Sequence, residues 1–316
     1  MSDMKRSDKR KKPKRLWLKI SLAVILVLVL GVSAYAFSIY NNAKDTVNEK
    51  MHENVSSIDQ KVGKKKISEQ MPLNILLLGV DKRPGDSGRS DALMVLSLDP
   101  KNNKMQLISI PRDTRTTIVG KGTKDKINHA YAFGGKDMSI ATVENLLDIE
   151  LDYYVQMNMK GLSEMVDAVG GINVQNELDW YDEGFYKKGY HYAKGEISLN
   201  GAKTMGYVRM RHLDPNGDFG RTKRQRQVIE AIVDKGASIA SVNKINDMID
   251  VLGNNMATNM DFEDMKDLLF NYKDVRKNMV NYMVKGSGTT IDGVYYYLVP
   301  DEEIAKVHGM IADIKS

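Results

Sequence analysis

Two aspartates and seven arginines are the residues of this chain best placed to do chemistry together, because they fall at the ends of predicted strands and the start of a predicted helix. The run Asn74-Ile75-Leu76-Leu77-Leu78-Gly79-Val80 reads as a strand buried on both faces, and Asp81, Lys82 and Arg83 follow it directly. Arg89, Ser90 and Asp91 then precede the next apolar run. Two carboxylates, Asp81 and Asp91, with Arg83 and Arg89 between them suit a hard cation such as Mg²⁺ held beside phosphates. A salt-bridge network that only pins the loop fits the same spacing. Arg112 and Asp113 close the third run in Ser109-Ile110-Pro111-Arg112-Asp113-Thr114, where Pro111 stops a central ladder and leaves Arg112 at the sheet edge.

The last group is Tyr207-Val208-Arg209-Met210-Arg211-His212, followed by Gly217-Asp218-Phe219-Gly220-Arg221-Thr222-Lys223-Arg224-Gln225-Arg226. If 206–211 is a strand, Tyr207, Arg209 and Arg211 share a face. If a helix begins near Arg221, then Arg221, Arg224 and Gln225 share one at helical spacing. A helix N-terminus attracts anions, so basic residues there are unfavourable unless something negative sits among them. The planar guanidinium grips phosphate oxygens two at a time. Convergence of Arg83, Arg89, Arg112, Arg209, Arg211, Arg221 and Arg224 beside Mg²⁺ is what phosphoryl transfer needs, since its transition state is stabilised by position and opposite charge. Arginines paired locally over the surface are the alternative, and spacing does not choose between the two.

Other chemistries fit less well. The absence of cysteine excludes a thiolate nucleophile or ligand. His129, His191 and His212 do not have a metal-ligand spacing, Ser90 has no evident histidine partner, and no phosphate-loop or dinucleotide pattern follows a strand. The aromatic stretch from Trp180 to Tyr192 suits either sugar stacking or a packed flap. Met157, Met159, Met165, Met205 and Met210 read as core, with an adaptable apolar pocket as the other possibility.

The elements that must position these residues alternate. Strands are expected at 92–98, 105–110, 153–157, 172–174, 279–284 and 294–299, and helices at 138–147, 162–169, 221–238, 242–256, 262–272 and from Asp301 to about 311. That order argues for an α/β sandwich around a mixed central sheet, as one domain over 72–316.

The charge of +5 is a property of the N-terminus. Nine basic residues stand against Asp3 and Asp8 in the first nineteen, so the remainder is slightly acidic and a nucleic-acid partner is not expected. Ile20–Tyr40 carries no charge and would span about 31 Å as a helix, the thickness of a bilayer core. A signal-anchor with residues 1–19 cytoplasmic and the rest extracellular follows from the positive-inside rule. Cleavage near Ala34-Tyr35-Ala36 is the competing reading. Residues 41–71, polar and lysine-rich, are expected to form a partly helical stalk.

With these groups in place, the chain resembles the LytR–CpsA–Psr family. The resemblance runs from about Leu73 to Ala231 and rests on Leu77-Leu78-Gly79-Val80-Asp81-Lys82-Arg83, Arg89-Ser90-Asp91, Ser109 to Thr114, Lys126-Ile127-Asn128-His129-Ala130-Tyr131, Val166 to Gly171, Tyr207 to Arg211 and Gly217 to Arg226. It implies a three-layer α/β/α sandwich behind one transmembrane helix, and a lipid pocket inside the fold. It also implies transfer of wall teichoic acid or a similar anionic glycopolymer from a polyprenyl-pyrophosphate carrier to a muramic acid hydroxyl of peptidoglycan. On that resemblance Asp81 and Asp91 hold Mg²⁺, Asp91 and Arg112 are catalytic, and Arg83, Arg89, Arg112, Arg209, Arg211, Arg221, Arg224 and Gln225 face the pyrophosphate. Ala92 and Val119 depart from the family pattern without removing a charged residue. A non-catalytic lipid-pyrophosphate receptor, a transcription attenuator and a pyrophosphatase are the other functions that these residues could serve.

Overall fold

The computed structural model describes residues 14–81, 88–237 and 242–314, apart from the side chains of residues 14–25, 27, 29, 81, 237, 242–243 and 276. Arg83 lies outside the described residues. The chain divides into two units, Met1–Lys44 and Asp45–Ser316. The first holds most of helix α1 (Lys14–Asp45), on which Leu26, Leu28, Leu30, Val32 and Phe37 are exposed. The expected anchor falls on this helix, but its side chains from Ile20 to Ile25 and those of Val27 and Val29 lie outside the described ones. Among the described residues no helix is long and apolar enough to cross a membrane.

The second unit starts at Asp45, within the expected stalk at 41–71. After a π-helical stretch, Thr46–Met51, His52 bridges to Thr258, and Met51, Val55 and Ile58 are buried. Helix α2 (Gln60–Ser68) buries Ile67. The lysines suggest a solvated stalk, but Val47, Met51, Val55, Ile58 and Ile67 of this segment are buried, while Val62 and Met71 stay exposed.

The frame is built in chain order from strands β1 (Leu73–Asp81), β2 (Arg89–Asp99) and β3 (Lys104–Ile110), an antiparallel meander. A small hairpin follows, β4 (Arg115–Thr117) and β5 (Lys124–Lys126), then helix α3 (His129–Leu147), kinked at Gly134 and Gly135. Strand β6 (Tyr153–Asn158) returns parallel to β1. Next come α4 (Met159–Ala168), β7 (Ile172–Asn176), the short pair β8 (Trp180–Tyr181) and β9 (His191–Tyr192), β10 (Gly195–Leu199), α5 (Gly201–Arg209), α6 (Asp218–Ala237) and α7 (Val242–Asn255). The chain closes with β11 (Met256–Thr258), α8 (Phe262–Asn271), β12 (Met279–Met283), the hairpin β13 (Ser287–Ile291) and β14 (Val294–Leu298), and α9 (Asp301–Asp313).

Six strands form one mixed sheet in the order β11-β6-β1-β2-β3-β12, with β12 parallel to β3. Period-two alternation sends Leu76, Leu78 and Val80 to one face, packed on Ile140 and Val143 of α3 and Ile311 of α9. Leu73 and Ile75 face the other way, onto Ile67 of α2 and Tyr272. The continuous apolar run of β1 is thus explained by burial on both sides. A further core joins α4, β7, α5 and α6 through Leu162, Val166, Val174, Tyr207 and Val228.

The expected strand at 206–211 is instead the end of α5. Asn200 caps that helix, its side chain accepting from Lys203 N at 2.9 Å, and Met210 leaves it. Tyr207, Arg209 and Arg211 therefore do not share a strand face. Helix α6 starts at Asp218 rather than near Arg221, which puts an aspartate in its first turn.

Candidate active site

The pairing of β1 with β2 slips at one end. Gly79 faces Ala92 but Val80 faces Ser90, so Asp91 is the extra residue of a β-bulge. A bulge breaks the alternation and re-aims a side chain. Here the Asp91 carboxylate accepts from Nη1 of Arg112, just past Pro111 at the end of β3. Arg112 Nε lies 3.7 Å from Asp218 Oδ1 and 3.8 Å from Asp113 Oδ2. Asp218 Oδ1 is also 2.8 Å from Arg221 Nη2, which reaches back to the Asp91 carbonyl at 3.5 Å. The ends of two strands and the start of one helix thus close a circuit, Asp91–Arg112–Asp218–Arg221. Lys126 adds a cation 2.8 Å from Asp113 Oδ1.

The charges in this circuit are unevenly matched. Burial opposes the charge on Arg112, but Asp218, Asp91 and Asp113 outweigh it and hold its pKa above the ordinary arginine value. Burial, with Arg112 and Arg211 nearby, pulls Arg221 below that value despite Asp218 and Asp91. Arg221 stays protonated, yet it is a buried cation short of negative charge. Ser90 Oγ, Arg112 Nε, Arg221 Nε and Gln225 Oε1 are buried without a hydrogen-bond partner among the described residues. Each such atom costs about 1–3 kcal/mol. An anion with several oxygens would satisfy the two guanidinium donors and the Ser90 hydroxyl at once.

The remaining predicted residues divide. Arg89 heads β2 opposite Asp81 and is exposed; the side chain of Asp81 is not among those described. Arg209 ends α5 and lines a cleft of about 570 Å³ together with Val80, Asn158, Lys160 and Met205. Arg211 is exposed on the following loop. Gln225 is buried on α6. Arg224 is not brought to the open side of the circuit. Its Nη1 pairs with buried Asp214, Nε donates to the Tyr207 carbonyl at 3.0 Å and Nη2 to the Met210 carbonyl. It ties the loop carrying Arg211 to α6. Gly220 permits this, because a Cβ there would lie 1.7 Å from Asp214 Oδ2.

Sequence reasoning passed over Asp218, Asp113 and Asp214 as site residues. Asp218 was detectable as the acidic residue three before Arg221; Asp214, alone in a loop, carries no such signal.

The aromatic stretch is mainly a packed flap. Trp180 stacks on Tyr192 with centroids 4.1 Å apart, and both are buried, while Tyr181 and Phe185 are exposed. Its tip is wound around Asp182, whose carboxylate accepts from the backbone N–H of Gly184, Phe185, Tyr186 and Lys187 at 2.7–3.0 Å. Burial opposes ionisation of Asp182, but these four donors outweigh it and hold the carboxyl below the ordinary aspartate value. A depressed folded-state pKa stabilises above the unfolded value and loses that stability as pH falls through the folded one. Asp182→Asn is therefore expected to lower stability by about 2 kcal/mol at pH 7, a difference that shrinks as the pH drops below about 4. Urea unfolding followed by Trp180 fluorescence across that range measures it.

Asp81 and Asp91 stand on adjacent strands at the bulged end, and Mg²⁺ takes one or two carboxylates while water and substrate phosphate fill its other positions. Among the described residues there is no cluster of three or more His, Cys, Asp or Glu side chains that could hold a metal ion.

The LytR_cpsA_psr family pattern matches residues 33–312 of this chain. The chain belongs to the LytR_cpsA_psr family. A relative from Bacillus licheniformis, polyisoprenyl-teichoic acid–peptidoglycan teichoic acid transferase TagU, is 44% identical over 302 residues, 96% of each chain. The crystal structure of Bacillus subtilis TagU shares 40% identity at a TM-score of 0.61, covering 78% of this chain and 97% of that one. The structure of TagT bound to LIIa-WTA shares 28% identity at a TM-score of 0.67, covering 85% and 97%. The family pattern extends well past Ala231, where the motifs quoted from the sequence end, and takes in β12 to α9.

Proposed function

We propose that this LytR_cpsA_psr protein is a polyisoprenyl-teichoic acid–peptidoglycan teichoic acid transferase. The observation that carries the reading is the Asp91–Arg112–Asp218–Arg221 circuit, with its buried unsatisfied donors, in a chain 44% identical over 96% of its length to a transferase of that name. The substrates that fit are a polyprenyl-pyrophosphate-linked anionic glycopolymer and the glycan of peptidoglycan. Helices on both faces of the mixed sheet support the three-layer α/β/α reading of the fold.

In this reading the pyrophosphate lies over Arg112 and Arg221, with Arg83, Arg89, Arg209, Arg211 and Gln225 around it, and Arg224 acts as a positioning residue through Asp214. A sugar hydroxyl of peptidoglycan attacks the phosphorus next to the donor sugar. A new phosphodiester P–O bond forms, the bridging P–O bond of the pyrophosphate breaks, and polyprenyl phosphate leaves with the electron pair. The arginines stabilise the charge that builds on the phosphoryl oxygens and on the leaving phosphate. Asp91 is the candidate to draw off the hydroxyl proton, held in place for that role by its pairing with Arg112. Mg²⁺ held by Asp81 and Asp91 would supply further neutralisation of the pyrophosphate. The apolar run at 20–40 serves as the signal-anchor that keeps the second unit at the outer membrane face, near a lipid-borne donor.

The full chain in detergent, given a synthetic polyprenyl-pyrophosphate disaccharide, peptidoglycan oligomers and Mg²⁺, is expected to release polyprenyl phosphate only when the acceptor is present. Chelation by EDTA is expected to reduce the rate at least tenfold, and added Mg²⁺ to restore it. Equal release without acceptor would make the protein a pyrophosphatase.

A further inference from the structure

The hairpin β13–β14 takes no part in the central sheet and forms a two-stranded sheet of its own. It is nevertheless fixed against the active site. Tyr297 N donates to the Asp113 carbonyl at 2.8 Å, and Thr114 bridges to Tyr297. Tyr295 and Tyr297 lie two apart on one strand and so share a face. Tyr297 is buried edge-to-face against Phe219 of α6, centroids 5.3 Å apart. Tyr295 is 48% exposed at the rim, with Lys126 Nζ 5.9 Å from its ring. Between them lies a recess of about 30 Å³ whose walls include Asp113 and Asp218, two carboxylates of the Arg112 network. A space of that size takes a hydroxyl-sized group but not a ring.

We propose that this aromatic wall, with Tyr295 at its rim, seats the acceptor: the pyranose stacks on Tyr295 and its hydroxyl-bearing arm enters the recess toward Arg112. A pyranose presents a face of C–H groups that packs on an aromatic ring, so a half-exposed tyrosine on a rigid mount is the side chain such a ring needs. The wall lies on the Asp113–Asp218 side of Arg112. The cleft that includes Val80 and Arg209 lies toward Asp91, since Val80 pairs with Ser90, next to it. In-line displacement wants the nucleophile and the leaving group on opposite sides of the phosphorus. With the lipid phosphate leaving toward the cleft, the acceptor approaches from the wall. The inference rests on the transferase reading and adds the residue that positions its acceptor.

The test uses the full chain in detergent with Tyr295→Ala and Tyr295→Phe, soluble uncrosslinked peptidoglycan glycan as acceptor, and the lipid-linked disaccharide as donor. Tyr295→Ala is expected to raise the KM for acceptor about tenfold and to shift the KM for donor less than twofold, with Tyr295→Phe close to wild type. An unchanged acceptor KM, a donor KM that rises instead, or failure of Tyr295→Phe to rescue would overturn the assignment. Binding of the acceptor glycan alone, measured by calorimetry, separates the two readings. Binding lost in Tyr295→Ala but no transfer by the wild type would keep the subsite and remove the transferase; transfer with binding untouched by Tyr295→Ala would do the reverse.

Discussion

Replacing Arg112 by alanine is expected to lower glycan transfer roughly a thousandfold, the scale seen when a charge-stabilising arginine is removed from phosphoryl transfer. Arg112 touches three carboxylates, Asp91, Asp113 and Asp218, and its Nε is buried with no hydrogen-bond partner among the described residues. It links the carboxylate of the bulge to the carboxylate at the start of α6. Losing it would leave the donor phosphorus without its nearest cation and Asp91 without the partner that orients it. The fold is expected to survive. Arg112 is partly solvated at a turn beyond β3, and Lys126 and Arg221 remain to balance Asp113 and Asp218. Arg112→Lys restores a charge but not the planar fork, so most of the loss is expected to remain. Initial rates at saturating donor, beside thermal unfolding of each variant, separate this outcome from misfolding.

The second large effect is on stability. Arg224→Ala is expected to destabilise the second unit by about 3–5 kcal/mol, because it strands Asp214 as a buried charge. Side-chain exposure of the pair is 6% and 2%, and Arg224 also holds the Tyr207 and Met210 carbonyls. The loss would free the loop that carries Arg211, so transfer should fall as well, although Arg224 does not reach the open side of the circuit. The paired change Arg224→Met with Asp214→Leu removes both charges and is expected to recover most of the stability. Urea denaturation of the single and double variants gives the coupling directly.

The sheet strands were legible from the sequence for a plain reason. β1, β2, β3 and β6 are apolar runs bounded by turn residues, and burial on both faces leaves little room for another pattern. The places of Asp91 and Arg112 at strand ends were legible too, and a bulge and a proline turn bring the two together. What failed was local. Residues 206–211 alternate in the way a strand does, but the cap at Asn200 and the close fit of Gly206 under Tyr192, where a Cβ would come within 2.2 Å of the hydroxyl, favour a helix. Residues 45–71 have too few apolar positions for any window to register, and their burial depends on partners such as Thr258, some 200 residues away. The contacts of Arg224 were not legible for the same reason: its spacing to Arg221 is visible, but the buried Asp214 that pairs with it is not.

Transfer of a glycopolymer to peptidoglycan by the Arg112 circuit is open to direct measurement. Its most direct test is mass spectrometry of the acceptor after reaction with the full chain, lipid-linked disaccharide and Mg²⁺, followed by digestion to muropeptides. The wild-type reaction is expected to leave a phosphodisaccharide on the muramic acid, nearly absent with Arg112→Ala. An unmodified acceptor in the presence of tightly bound donor, or equal modification by Arg112→Ala, would contradict it.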